Sequence, residues 1–145
     1  MKTVKDILKN RGRRIWSVSP VTTAYEALEV MAEKDIGALL VFKNDHLVGI
    51  FSERDYARKV ILKGKASRDT PVSELMTRQI FYVDPENTLD ECMALMTMKH
   101  IRHLPVFDNN EITGIITIGD VVKEIVSEQE ITIEALENLM SYDGF

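Results

Sequence analysis

Two hydroxyl residues are each followed, three positions later, by an aspartate: Ser52 by Asp55 and Thr117 by Asp120. Each pair stands where an apolar stretch gives way to a helical pattern. An ionised carboxylate in a first helical turn can accept from two vicinal hydroxyls at once, and the 2′ and 3′ hydroxyls of a ribose are such a pair. The Ser52 or Thr117 hydroxyl, together with the free amides of a helix start, forms a seat for a phosphate. Gly49 and Gly114, three residues before each hydroxyl, let a backbone or a ligand come close to the strand. The same spacing is also close to an ordinary capping box, which needs no ligand. A lone copy reads as structural, whereas two copies in matching places favour a site.

The matching extends far beyond these pairs. At a constant offset of 65 residues, Arg13, Ile15, Val18, Pro20, Thr23, Glu26, Met31, Lys34, Ile36, Val41, Phe42, Gly49, Ile50 and Asp55 reappear without a gap. Their counterparts are Arg78, Ile80, Val83, Pro85, Thr88, Glu91, Met96, Lys99, Ile101, Val106, Phe107, Gly114, Ile115 and Asp120. The chain is an internal duplication.

Each copy predicts the same elements. A strand over Ile15–Val18 or Ile80–Val83 ends at Pro20 or Pro85. Thr23 with Glu26, and Thr88 with Glu91, are capping boxes. Apolar residues then fall at Ala24, Ala27, Leu28 and Met31, and at Leu89, Cys92, Met93 and Met96, the spacing of a helix with one buried stripe. Strands follow over Ala38–Phe42 and Leu47–Phe51, and over His103–Phe107 and Ile112–Ile116. Their turns, Lys43-Asn-Asp and Asp108-Asn-Asn, tolerate the positive φ of a tight hairpin. A second helix starts at Ser52, running to about Leu62, and at Thr117, running to about Val126.

Each copy thus reads β-α-β-β-α. So small a sheet cannot hide its apolar face alone, so the expected α+β fold packs two pseudo-symmetric repeats into one module with a joint core. The divisions are 1–14, an N-terminal helix (Val4, Ile7, Leu8) and lead-in; 15–70, repeat 1 with the linker Gly64–Pro71; 71–127, repeat 2, opened by a short helix at Val72–Met76; and 128–145. The last is an amphipathic helix with Ile133, Leu136, Leu139 and Met140, capped by Ser127-Glu-Gln-Glu130. It covers either its own module or a second copy.

Composition narrows the function further. The 145 residues include one cysteine, Cys92, and carry a net charge of −5. That excludes an intramolecular disulfide or a cysteine zinc cage, and gives no general affinity for nucleic acid. Residues 1–72 hold 14 Lys/Arg against 9 Asp/Glu, and residues 73–145 hold 4 against 14. Unequal solvated faces are the plain reading of that contrast; two copies with opposite halves apposed would also suit it, though screening weakens that reading. Arg11-Gly-Arg-Arg14 reads as a solvated basic patch. No stretch is long enough to span a membrane, no signal peptide is legible, and a cytoplasmic location is expected. His46 and His100 are not expected to hold a metal. No nucleophile elbow, Walker loop or zinc motif occurs, so no enzyme is predicted.

Gly49-Ile-Phe-Ser-Glu-Arg-Asp55, Gly114-Ile-Ile-Thr-Ile-Gly-Asp120 and Ile101-Arg-His-Leu-Pro-Val106, in this doubled order, resemble a tandem CBS-domain pair, the Bateman module. The resemblance covers roughly residues 10–127 and extends to small stand-alone CBS-pair proteins. It implies a non-catalytic regulatory module, with no catalytic cofactor, that binds an adenosyl ligand (AMP, ADP, ATP, NAD(H) or S-adenosylmethionine) in clefts between the repeats. It also implies a homodimer that signals to a separate effector protein.

By the same resemblance Asp55 and Asp120 hold ribose, while Arg102, His103 and Arg54 meet phosphate beside Ser52 and Thr117, with Arg58 one turn on. The adenine slot would be offered by Ser17 and Val18 or by Tyr82 and Val83, walled by Ile36 or Ile101 near Pro105. Gly37 and Ala38 replace Arg102 and His103 in repeat 1, and Gly119 replaces Arg54 in repeat 2, so the two sites should differ. The competing reading is a structural or dimerisation module with vestigial sites.

Overall fold

The computed structural model describes residues 1–11, 15–128 and 133–140. The chain divides into two compact units: Ile15–Phe81, and Met1–Arg14 with Tyr82–Phe145. They are termed here the repeat-1 unit and the repeat-2 unit.

The repeat-1 unit holds β1 (Ser17–Val18), α2 (Ala24–Lys34), β2 (Ala38–Lys43), β3 (His46–Ser52) and α3 (Glu53–Tyr56), with a π turn over Ala57–Ile61. The three strands form one sheet in the order β1-β2-β3. The pair β1–β2 is parallel, and β2–β3 is antiparallel with Ala38 opposite Ser52. Thr23 caps α2 through the expected box with Glu26. Ala24, Ala27 and Met31 are buried on its stripe against Leu39, Val41 and Phe51 of the sheet. Asn44 and Asp45 take φ of 51° and 65°, so the hairpin turn has both central residues left-handed, as the sequence predicts.

The repeat-2 unit holds α1 (Val4–Arg11), α4 (Leu89–Lys99), β4 (His103–Asp108), β5 (Glu111–Thr117) and α5 (Ile118–Glu128). It repeats the capping box at Thr88–Glu91 and the left-handed turn at Asn109 and Asn110. The first strand expected at Ile80–Val83 is not formed, and only a single parallel bridge joins Val83 to Val106. Proline explains the difference. In repeat 1 the Leu40 amide donates to the Trp16 carbonyl at 3.3 Å. The residue 65 positions on is Pro105, which has no amide to give.

The segments expected to lie outside or between the repeats prove to be part of their bonding. The Val4 amide donates to the Asn87 carbonyl, Lys5 to Pro85, and Leu89 to Lys2. In the other unit Val72 donates to Thr22, Ser73 to Pro20, and Ala24 to Thr70. These are the same three bonds, with Thr3–Thr88 and Thr23–Pro71 as matching bridges. Residues 3–8 are therefore the counterpart of residues 71–76 at an offset of 68, and Val4, Ile7 and Leu8 are buried as Val72, Leu75 and Met76 are.

The short helix expected at Val72–Met76 is a single 3-10 turn, Val72–Glu74, and Val72, Leu75 and Met76 pack in the core of the repeat-1 unit. The linker is strapped down as well, with Tyr56 Oη 2.8 Å from Ser67 Oγ and Thr70 Oγ1 donating to the Ala66 carbonyl at 2.7 Å. Ser127 lies inside α5 and so does not cap a following helix, because α5 continues past Val126. The rest of that expected box, and residues 12–14 of the basic run, lie outside the described residues. A last helix, α6, spans Ile133–Met140.

Gly49 shows why the lead-in matters. Ile50 and Thr77 exchange both backbone bonds, at 3.0 and 2.8 Å. A Cβ on Gly49 would stand 2.5 Å from Met76 Sδ and 3.1 Å from the Thr77 carbonyl oxygen. Gly49→Ala is expected to destabilise the chain by about 1–3 kcal/mol through overpacking, read as a lowered urea midpoint with an unchanged slope.

Candidate functional site

The start of α5 gathers four of the sequence-selected residues. The β4–β5 register sets His103 opposite Thr117, and the chain passes from Thr117 directly into the helix. The Asp120 amide donates to Thr117 Oγ1 at 3.0 Å, and the Thr117 amide donates to Asp120 Oδ2 at 2.9 Å. The Ile118 amide donates to the Arg102 carbonyl at 3.0 Å, which holds Arg102 beside the helix start. Arg102 is exposed, while His103, Thr117 and Asp120 are half-buried. Burial pushes the His103 imidazole below its usual pKa, helped by Arg102 and opposed by the Asp120 carboxylate. A neutral imidazole, a hydroxyl and a carboxylate thus stand at one helix start, with the backbone of Arg102 tied beside them.

The amide seat expected for a phosphate is largely filled by the protein itself. In repeat 2 the Ile118 and Asp120 amides have partners, and in repeat 1 Glu53 donates to Gly37 at 3.0 Å while Asp55 donates to Ser52 Oγ at 3.1 Å. Charge for a phosphate would therefore have to come from side-chain cations, and Arg102 adjoins the repeat-2 motif in sequence.

The repeat-1 motif is built alike and engaged differently. Asp55 is 9% exposed. Its Oδ2 accepts from the Ser52 amide at 3.0 Å and from Ser52 Oγ at 3.1 Å. Its Oδ1 accepts from Thr77 Oγ1 at 3.2 Å and pairs with Lys59 Nζ at 3.0 Å. Lys59 also donates to the Leu75 carbonyl at 2.9 Å. Arg54 and Arg58 are exposed.

Sequence reasoning missed Lys59 and Thr77. The i,i+4 spacing of Asp55 and Lys59 is an ordinary helical ion-pair signal, but Thr77 lies 22 residues away in sequence. It also missed Glu124, at the position matching Lys59. Glu124 is 8% exposed and accepts from Lys2 Nζ at 2.7 Å and Asn10 Nδ2 at 3.2 Å.

The residues expected to line an adenine slot fall into two groups. Ser17 is exposed and Val18 half-buried in β1, Ile36 and Ile101 are half-buried, and Tyr82 is 60% exposed with its ring edge-on to Phe107 at 5.0 Å. Val83 and Pro105 are buried, and Val83 donates its amide to the Pro105 carbonyl at 3.1 Å while its carbonyl accepts from Phe107 at 2.9 Å. Both backbone groups of Val83 are thus engaged by β4, so of the candidate pair Tyr82 and Val83 it is not Val83 that has backbone groups to spare.

Burial pushes the Cys92 thiol up to about 11, with Glu91 adding to the shift. Cys92 should resist thiol reagents until the chain unfolds. A raised thiol pKa favours the fold below the ordinary value of 9 and loses that contribution as pH climbs through 11. Thermal unfolding followed from pH 8 to 11 in wild type and Cys92→Ala should show a steeper fall in the wild type. Among the described residues no group of three or more His, Cys, Asp or Glu could hold a metal, and no helix is long and apolar enough to cross a membrane.

The CBS domain family profile matches residues 4–62 and 72–127. The chain belongs to the CBS-domain family and carries a CBS pair. The first match starts at Val4 and so includes α1 in sequence, although α1 packs within the repeat-2 unit. CBS domain-containing protein CBSX3, mitochondrial, of Arabidopsis thaliana is 36% identical over 150 aligned positions, 97% of this chain and 71% of that protein. The solved structure of a protein with CBS domains from Burkholderia ambifaria MC40-6 is 49% identical, with a TM-score of 0.87 over 91% of this chain and 99% of that one. The structure of CBSX2 in complex with AMP is 27% identical, with a TM-score of 0.72 over 89% and 99%.

Proposed function

We propose that this chain is a non-catalytic regulatory module that binds an adenosyl ligand at its repeat-2 motif and signals to a partner protein. The observation that carries the reading is the constellation at the start of α5. Asp120 is held at the helix start by its reciprocal bonds with Thr117, His103 lies opposite Thr117 and the backbone of Arg102 is bonded to Ile118, which supports a carboxylate there for a vicinal diol. An AMP complex within the same fold supports the adenosyl choice. Arg102 serves the phosphate, and neutral His103 donates or accepts without repelling its neighbour. Ligand contacts that differ between two shapes of the module supply the signal. A homodimer belongs to the same reading; Ile61 and Leu62 in the repeat-1 unit, and Val122 in the repeat-2 unit, are exposed apolar side chains.

The test is a thermal-shift series with AMP, ATP, NAD, NADH and S-adenosylmethionine. A ligand at 100 times its Kd adds about 2.7 kcal/mol of stability. No shift with any of them would favour a structural module with vestigial sites, a reading supported in repeat 1 by the engagement of Asp55 with its own chain. Arg102→Ala is expected to weaken AMP about tenfold or more while leaving adenosine within twofold. Equal losses for both would remove phosphate from the role of Arg102.

A further inference from the structure

The two aspartates of the duplicated motif are bound into their units by different neighbours. Around Asp55, four donors converge on one carboxylate: the Ser52 amide and hydroxyl, the Thr77 hydroxyl and the Lys59 ammonium. A carboxylate offers about four lone-pair sites. A ribose diol could reach Asp55 only by displacing donors already present. Ser52 is fixed as the helix cap. Thr77 is fixed by two backbone bonds to Ile50. Lys59, if displaced, would keep the Leu75 carbonyl alone.

The position one turn after the other aspartate is the acid Glu124, which Lys2 and Asn10 hold from α1 and the residues before it. The Lys59–Asp55 ion pair therefore has no counterpart at the matching position of repeat 2.

We infer that Asp55 is a structural tie closed by Lys59 and Thr77, that the repeat-1 motif takes no ribose, and that the chain binds one adenosyl ligand rather than two. Lys59 is the residue that decides this. The inference rests on the nucleotide reading above for its ligand count, and on the repeat-1 geometry alone for the tie. The tie joins the start of α3 to the segment 72–77 within the repeat-1 unit.

Two measurements test it. Without ligand, Lys59→Met and Thr77→Val should each lower Tm by about 2–6 °C, and the double variant should lose less than the sum, because both act through one carboxylate. Fully additive losses, or none, would overturn the tie. With AMP as the probe in calorimetric titration, the wild type should bind one AMP per chain, and Asp55→Asn should keep that count and an affinity within twofold. Two sites in the wild type, or a tenfold loss in Asp55→Asn, would overturn the inference and leave the nucleotide reading standing. Absence of AMP binding in the wild type would instead overturn the reading and the ligand count, with the tie still decided by the melting experiment. Should Asp55→Asn fail to fold, Lys59→Met gives the count: a second AMP appearing only in that variant supports Lys59 as the deciding residue, and two sites in both chains overturn it.

Discussion

Replacing Asp120 by asparagine is expected to cost at least about 2 kcal/mol of adenosyl-ligand affinity, roughly 30-fold, with little change in Tm. Hydrogen bonds to a charged acceptor contribute about 1.5–3 kcal/mol each, and a ribose diol would make two to one carboxylate. Asparagine keeps a carbonyl oxygen that can take the Thr117 amide, so the cap at the start of α5 survives. The amide group lacks the charge and one of the two acceptor oxygens, so it cannot take both hydroxyls. Isothermal titration with AMP on wild type and Asp120→Asn reads the difference directly. An unchanged Kd would remove the carboxylate from ribose binding.

Deleting residues 1–11 is expected to unfold the repeat-2 unit. Val4, Ile7 and Leu8 are all buried, and each contributes about 1.5–3 kcal/mol of burial. Their sum, an upper estimate because denatured chains already bury some surface, approaches the 5–15 kcal/mol that holds a whole domain. The deletion also strips Lys2 and Asn10 from the buried Glu124 carboxylate, and removes the backbone acceptor that the Leu89 amide uses at the start of α4. Thermal unfolding and limited proteolysis check this, with early cleavage expected between residues 82 and 128. A truncated chain melting with the full-length one would show α1 to be dispensable, as an added helix outside the repeat should be.

What the sequence disclosed follows from the range of the interactions involved. The boxes at Thr23 and Thr88, the turns at Asn44–Asp45 and Asn109–Asn110, and the buried stripes of α2 and α4 all depend on residues within a few positions of one another. The pairing of His103 with Thr117 was not legible: a two-residue turn carried on regularly would set His103 opposite Ile116, and the irregularity between Val106 and Phe107 moves the register by one. The lead-in escaped because the offset changes from 65 to 68 before Ile15. Three additional residues between α1 and β1 hide the kinship of Val4-Lys-Asp-Ile-Leu8 with Val72-Ser-Glu-Leu-Met76.

Pro105 was read for its place in a motif, while its missing amide removed a strand. At Asp55 the residue type suits ligand chemistry, and the structure adds partners, Lys59 and Thr77, that the sequence reading did not foresee. Donors that arrive from 22 positions away leave no local trace.

The most direct measurement compares AMP with its 2′,3′-dideoxy analogue, on wild type and on Asp120→Asn, by calorimetric titration. If a carboxylate at the start of α5 grips the sugar, removing both hydroxyls weakens binding to the wild type by roughly 30-fold and has almost no further effect on the variant. Equal affinity of the wild type for the two ligands, or the same loss in both chains, would contradict it.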